Sequence, residues 1–309
     1  MFTQGIWEGA FRTGKPDNCS LIRYGIAVLL RPLLLVIRPC IKRALSCQLV
    51  LCALYSSGLS ADAPAISQGV ASCVAALAQP ANNVSALPSS FNMVTWNIEK
   101  GNNPRWLEDL QVYQSQPHLI LLQEAYSPSP FVSLVGAVVY ESFSPGYETR
   151  ELQTGVMTIS SVMPQLHCAL TAYEPWLATP KATTVTRYGL GESAESLLVV
   201  NTHMVNFEWG VTAFSQQWAD IEQILQLHDG PLIVAGDFNT WSLERMAFVA
   251  EVKSRHNLHS VSFDPDSRTS FFNLPLDHIL TRDLSASQTK VLPDSKSDHN
   301  SLWTELHLD

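Results

Sequence analysis

The chain has 309 residues, 46% hydrophobic and 15% charged, with a formal net charge of −9, which fits one large or two small globular domains and excludes a disordered chain. The charge is uneven: residues 1–90 carry seven Lys/Arg and three Asp/Glu, a net +4, whereas 91–309 carry twelve and twenty-five, a net −13. An acidic domain attracts divalent cations and lacks the clustered cations that grip duplex DNA by counterion release.

Residues 21–59 are apolar but broken by Arg31, Pro32, Arg38, Lys42 and Arg43. No run reaches the ~18–20 clean apolar residues of a spanning helix. From Lys42 the order is that of an export signal: a basic pair, an apolar core over Ala44–Tyr55, and small residues at Ser60-Ala61-Asp62-Ala63. The basic region is atypically long, so residues 1–60 read as an export signal or a membrane anchor. Either reading places the protein outside the cytoplasm (periplasmic or secreted) or on a membrane. A lipoprotein signal ending at Cys73 and a buried N-terminal helix are the competing readings. Residues 61–90, rich in Ala, Ser, Pro and Asn, read as a linker. The six cysteines contain no CxxC pair, which argues against structural zinc. Cys73 and Cys168 lie beyond the first 60 residues and offer one disulfide in an oxidising compartment.

From Phe91 the pattern is that of a folded domain to residue 309. Phe91–Asn97 is a strand. Asn103-Pro104 opens a helix whose buried stripe is Trp106, Leu110 and Tyr113. His118–Glu124 is an apolar strand that ends in Gln-Glu, and its continuous run predicts burial on both faces. Further strands are expected at Gly155–Ile159, Thr183–Arg187 and Leu197–His203. Phe214, Trp218, Ile221 and Leu225 mark a helix stopped by Gly230-Pro231. Leu232–Ala235 is a buried strand that breaks at Gly236. Alternation then puts Asp237 and Asn239 on one side and Phe238 on the other. A helix over Ser242–Arg255 and strands at Leu276–Leu280 and Ser301–Leu306 complete the chain. Strands and helices mix without strict βαβ alternation, which predicts a layered sandwich of mixed sheets.

The ends of these strands carry chemistry. Asn97, Gln123-Glu124, Thr202-His203, Asp237 with Asn239, Asp277-His278 and Asp298-His299 all close or open apolar segments. Each alone reads as a turn cap or a core histidine. Together they predict one site, because ligands collect at the ends of sheet strands.

The segments TWNIEKGN, HLILLQEA, TGVMTIS, VNTHMVNFEWGV, AGDFNTWS, PLDHIL and SDHNSL resemble the endonuclease/exonuclease/phosphatase superfamily, within it the bacterial YafD-like branch. The resemblance runs from Phe91 to about Leu308. It implies a deoxyribonuclease I-like fold: a four-layer α/β sandwich of two packed mixed sheets flanked by helices. It implies metal-assisted cleavage of a phosphate ester, with Mg²⁺ or Mn²⁺ as cofactor. Glu124, Asn97 and Asp298 would hold the metal. Asp277 would orient His299, and with Asp237 that pair would activate the attacking water. Asn239 and His203 would donate to phosphoryl oxygens. Glu99 would support Asn97. Gln153 stands where DNA-repair relatives carry a tyrosine, and deoxyribonuclease relatives carry in this region a glutamate that supports the histidine; Gln153 could donate to phosphate but cannot be that carboxylate partner of His203.

The expected activity is Mg²⁺-dependent, nuclease-like hydrolysis of a phosphodiester. A phospholipid or inositol-phosphate phosphohydrolase is the alternative, since an apolar N-terminus would keep the enzyme near a membrane. A non-catalytic binding module is a third reading, against which stands the full set of polar positions. The expected partner is a phosphate-ester substrate, either nucleic acid or lipid/inositol phosphate, and the expected state is a monomer.

Overall fold

A computed structural model describes residues 63–80, 85–103, 105–108, 117–129, 139–150, 152–191, 195–293 and 296–309. The chain divides into two units, 1–60 and 61–309. The export signal or anchor expected in the first unit lies outside the described residues, as do Leu110 and Tyr113 of the first expected helix. Among the described residues no helix is long and apolar enough to cross a membrane.

The elements of the second unit begin with β1 (Ile66–Gln68), α1 (Val70–Leu77), β2 (Ala86–Leu87), β3 (Ser90–Asn97) and β4 (Pro117–Ser127). Next come β5 (Tyr140–Glu148), β6 (Gln153–Ser160), β7 (Leu166–Tyr173), β8 (Pro180–Leu190) and β9 (Ser196–His203). Then follow α2 (Thr212–Leu225), β10 (Leu232–Asp237), α3 (Leu243–Arg255), β11 (His259–Ser260) and the hairpin β12 (Ser270–Phe271) and β13 (Leu274–Pro275). The last strands are β14 (Asp277–Arg282), β15 (Leu284–Leu292) and β16 (Ser301–Leu308).

The long strands form two mixed sheets. One has the order β1-β7-β8-β9-β10-β14-β11, with β2 also paired to β8; the other has the order β15-β16-β3-β4-β6-β5. Their facing sides make a seam of alternating residues, Met93, Leu119, Leu121 and Leu302 from one sheet against Leu197, Val199, Ile233 and Ala235 from the other. The opposite parity of the first sheet, Leu198, Val200, Leu232 and Val234, packs on α1, α2 and α3 through Cys73, Trp218, Ile221 and Val249. This is the expected sandwich of two mixed sheets with few helices. Both faces of β10 are buried, and that is why its sequence is continuously apolar.

The segment 61–90, read from composition as linker, instead supplies two short strands to the first sheet and a helix that packs on it. β1 pairs in parallel with β7, β2 pairs with β8, and Cys73, Leu77 and Leu87 are buried. Buried Arg187 of β8 fastens the end of α1 by donating to the carbonyls of Leu77 and Gln79 at 3.2 Å each. The stripe Val70, Cys73, Val74, Leu77 has helical spacing, but eight residues among Ala and Ser are too few to display a period. Cys73 and Cys168 are free thiols buried in one cluster. Cys73, the residue of the lipoprotein reading, is buried within α1.

Candidate active site

Register builds the site. In the parallel pair β9–β10, Asp237 lies opposite His203, and in the antiparallel pair β10–β14 it lies opposite Asp277. Three strands therefore deliver His203, Asp237 and Asp277 at one level, on the parity of Ile233 and Ala235 that faces the seam between the sheets. Phe238 points the other way and meets the Trp218 ring at 5.3 Å, as alternation requires. The turn out of β10 depends on Gly236: its φ is +136°, and a Cβ there would sit 2.0 Å from the Thr202 carbonyl oxygen.

The second sheet adds Asn97 and Glu124 from the neighbouring strands β3 and β4. The β4–β6 pairing slips between Leu122 and Ala125, and Glu124 takes a φ of +50°. This bulge re-aims the carboxylate towards the cavity. Gln123, one residue earlier, turns into the seam and donates to Asn201 Oδ1 at 2.7 Å, tying the two sheets together.

The side chains form one network around Asp237, which is buried. Asn97 Nδ2 donates to its Oδ2 at 3.1 Å, and the Asn239 backbone N–H donates to Oδ1 at 3.0 Å. The Glu99 N–H donates to Asn97 Oδ1 at 3.1 Å and so fixes which way that amide faces. His299 Nδ1 is 2.8 Å from Asp277 Oδ2, and its Nε2 is 3.8 Å from Asp237 Oδ2. The Asn239 amide donates to the Met204 carbonyl at 3.0 Å and approaches Asp237 at 3.4 Å, so both of its N–H groups brace the site rather than point into the cavity. Asp298 is exposed beside His299 and accepts from Ser297 Oγ at 3.3 Å. Gln153 opens β6 opposite Ser127 and Glu148, and it makes no side-chain hydrogen bond to His203.

The group beside His203 is Lys181, which sequence reasoning missed. Its Nζ is 2.8 Å from His203 Nε2 and 3.8 Å from Glu174 Oε1. Burial and the adjoining Lys181 push the His203 pKa well below its ordinary value, so the ring is neutral. The same Nε2 is 3.4 Å from Asp237 Oδ2, so the ring edge sits between the Lys181 amine and a carboxylate. Lys181 is itself lowered by burial, against the pull of Asp237, Glu124 and Glu174. Together with Lys100, Glu124 and His203, Lys181 lines a cavity of about 380 Å³. Lys100 reaches Glu124 at 2.8 Å from a left-handed turn and is half exposed.

His299 is the opposite case. Burial disfavours its charge, but Asp277 and Asp237 outweigh that and raise its pKa to about 10. Asp237 is raised by burial and by Asp277, with His299 pulling the other way. A raised histidine contributes stability that is full below about pH 6.5, the unfolded value, and is lost as pH rises through about 10. In EDTA, the stability gap between the native chain and His299→Gln is therefore expected to narrow steadily from pH 7 to pH 10. Its ceiling is roughly 4–5 kcal/mol. Thermal melts of both proteins across that range check this, and a constant gap would show that His299 holds no extra proton.

Ligand atoms of Asp237, Asp277 and His299 lie within 4.8 Å of one another, a geometry that a metal ion could share. These three already satisfy each other. Glu124 is different: it is a carboxylate on the wall of a cavity, and its ion-pair partner among the described residues is Lys100, a half-exposed side chain that an ion can displace. Mg²⁺ prefers one or two carboxylates and several waters, and Glu124 offers one such carboxylate, with Asn97 at the end of the adjoining strand β3.

The profile of the endonuclease/exonuclease/phosphatase family matches residues 94–299, which span every site residue described above. The chain belongs to the endonuclease/exonuclease/phosphatase family. This member is 37% identical to a UPF0294 protein of Vibrio cholerae over 231 residues, 74% of this chain and 82% of that one. Among solved structures it is similar to the human Nocturnin catalytic domain with bound sulfate (20% identity, TM-score 0.56, covering 73% of this chain and 97% of that one). It is also similar to a mannosyl-6-phosphatase of Bacteroides thetaiotaomicron (15% identity, TM-score 0.51, covering 70% and 99%). At those identities the structural likeness speaks to fold. Family membership makes the protein a hydrolase of phosphate esters.

Proposed function

We propose that this family member hydrolyses a phosphodiester with a divalent metal, Mg²⁺ first, held by Glu124 and Asn97. The observation that carries the reading is the row Asp277–His299–Asp237, which meets His203 at 3.4 Å on the wall of a cavity that also presents Glu124 and Lys181. The bound metal would neutralise phosphate oxygens and assist the leaving oxygen. The chain supplies the rest. Asp237, held in place by Asn97 and Asn239, accepts the proton of the attacking water. His299, kept protonated by Asp277, presents Nε2–H to charge that develops on phosphorus-bound oxygen. Lys181 adds a fixed positive charge on the other side, through the position expected of His203. Neutral His203 sets where that charge sits.

The test is hydrolysis of bis(p-nitrophenyl) phosphate, with p-nitrophenyl phosphate beside it to separate diester from monoester. EDTA is expected to lower the diester rate by at least about 100-fold, and Mg²⁺ or Mn²⁺ to restore it. A rate that EDTA leaves unchanged would remove the metal from the reading. Preference for the monoester would move the assignment towards a phosphatase.

A further inference from the structure

Beside the catalytic cavity, and sharing Phe207 with it, lies a second cavity of about 410 Å³ that is almost wholly apolar and reaches Asn239. Its rim is built from four separate segments: 174–179, the loop 204–211 after β9, 240–241, and the hairpin 270–276. The large side chains there point outward. Trp209 is 84% exposed and Phe272 80%, while Trp176, Leu177, Phe207 and Phe271 are each half exposed or more. They gather in pairs, with Trp176 and Trp209 rings 5.7 Å apart and Phe271 and Phe272 rings 4.4 Å apart. Soluble proteins rarely expose a contiguous apolar patch of this kind without a partner for it.

Two further observations narrow the partner. The first is backbone cost. β12 and β13 are joined by a two-residue turn, Phe272-Asn273, with φ of +50° and +63°. Such a turn favours Asn-Gly, and a bulky residue at positive φ is a genuine outlier. A strained phenylalanine aimed at water contributes nothing to the core; strain of this sort gathers where a surface has work to do. The second is charge. Across the four segments the only charged residues are Glu174 and Glu208. Both are buried: Glu174 accepts the N–H groups of Asn206 and Phe207, and Glu208 those of Ala213 and Phe214. The rim is electrically bare. It has no Lys or Arg with which to track a polynucleotide backbone, and the chain as a whole is acidic. Aromatic and aliphatic tips without charge suit the interface of a neutral bilayer.

We propose that this rim docks the enzyme on a zwitterionic phospholipid surface, so that the apolar cavity receives the hydrocarbon side of an amphiphilic phosphate ester whose phosphate enters the neighbouring site. The docking stands on the surface alone; the substrate class also rests on the phosphodiesterase reading above.

The test uses the full chain in EDTA, where turnover is suppressed, with phosphatidylcholine vesicles carrying brominated acyl chains. Tryptophan emission is expected to be quenched, and Trp209→Phe to lose part of the quenched signal. The double variant Phe271→Ser/Phe272→Ser keeps residues 1–62, so any loss of binding maps to the rim. It is expected to need at least about tenfold more lipid for half-quenching. The same double variant is expected to hydrolyse bis(p-nitrophenyl) phosphate with Mg²⁺ at the native rate. If neither protein cleaves that ester while the lipid result holds, the docking surface stands and the proposed activity falls. Equal quenching of native chain and double variant overturns the proposal, as does a requirement for anionic lipid. Quenching of Trp209 by a single-stranded oligonucleotide at lower concentration than lipid also overturns it, and assigns the rim to bases.

Discussion

Asp237→Asn is expected to lower turnover by about 10²–10⁴-fold and to leave the melting temperature within a few degrees. The substitution keeps the shape of the side chain. Its Oδ1 still accepts the Asn239 N–H, so the turn after β10 holds. What disappears is the charge. Burial already pushes the Asp237 carboxyl towards its neutral form, so removing that charge relieves a desolvation cost and offsets the lost contact with Asn97. Chemistry has no such compensation. An amide accepts no proton from water, and it no longer helps hold His299 protonated. A second signature follows. His299 loses one of the three carboxylates that raise it, so the alkaline limb of the pH–rate profile shifts to lower pH in the residual activity. Rates on bis(p-nitrophenyl) phosphate across pH, taken beside thermal melts, decide it. Native turnover in the variant would dismiss Asp237 from the reaction, and parallel loss of fold and activity would make it a structural residue.

The position of Asp237 was legible because one strand carried the whole signal. Leu232 to Phe238 alternates between two buried faces, and a side chain that continues the inward parity past the last apolar residue must emerge at the rim of the seam. The same logic placed Asn97, His203 and Asp277 at strand ends, and register then brought the last two level with Asp237. Lys181 had no such signal. It opens a Thr-rich strand after Pro180, and nothing local distinguishes it from a solvated lysine; it meets His203 only because β8 runs beside β9. The reading of Gln153 came from likeness rather than pattern, and β6 sets that residue opposite Ser127 and Glu148. The braces were illegible for a related reason. Glu174 caps amides more than thirty residues away, and Glu208 caps the first turn of α2 in place of the usual Ser or Asp. Contacts of that range leave no period in a sequence. The segment 61–90 was misread because its strands β1 and β2 are two or three residues long, too short for alternation to show.

The largest stability effect is expected at Arg245, at the start of α3. Its side chain is fully buried, which is rare for arginine and costly unless its donors are engaged; both Nη groups are, and Nε is not. Its Nη1 donates to the carbonyls of Val205 at 2.7 Å and Asn239 at 2.9 Å, and its Nη2 to that of Asn206 at 3.0 Å, with Glu208 at 3.5 Å as counter-charge. The guanidinium also lies over the Phe214 and Trp241 rings at 4.8 and 4.7 Å. One planar group thus ties α3 to the loop after β9 and to the turn that carries Asn239. Arg245→Met fills the volume but strands three buried carbonyls and Glu208, a loss of about 3–5 kcal/mol. For a domain of this size that is roughly 10–15 °C in melting temperature. Arg245→Lys keeps the charge and is expected to recover only part of it, because a point ammonium cannot serve carbonyls that diverge around a planar fork. Activity measured well below the melting point is expected to fall further than the population of unfolded chain explains, since Asn239 and Asn206 lose their anchor together. In the double variant with Glu208→Gln, the two costs are expected to add to less than their sum, which marks a direct coupling. An Arg245→Met protein that melts within about 2 °C of the native chain would mean the loop is held from elsewhere, and the catalytic turn would then owe its placement to the strands alone.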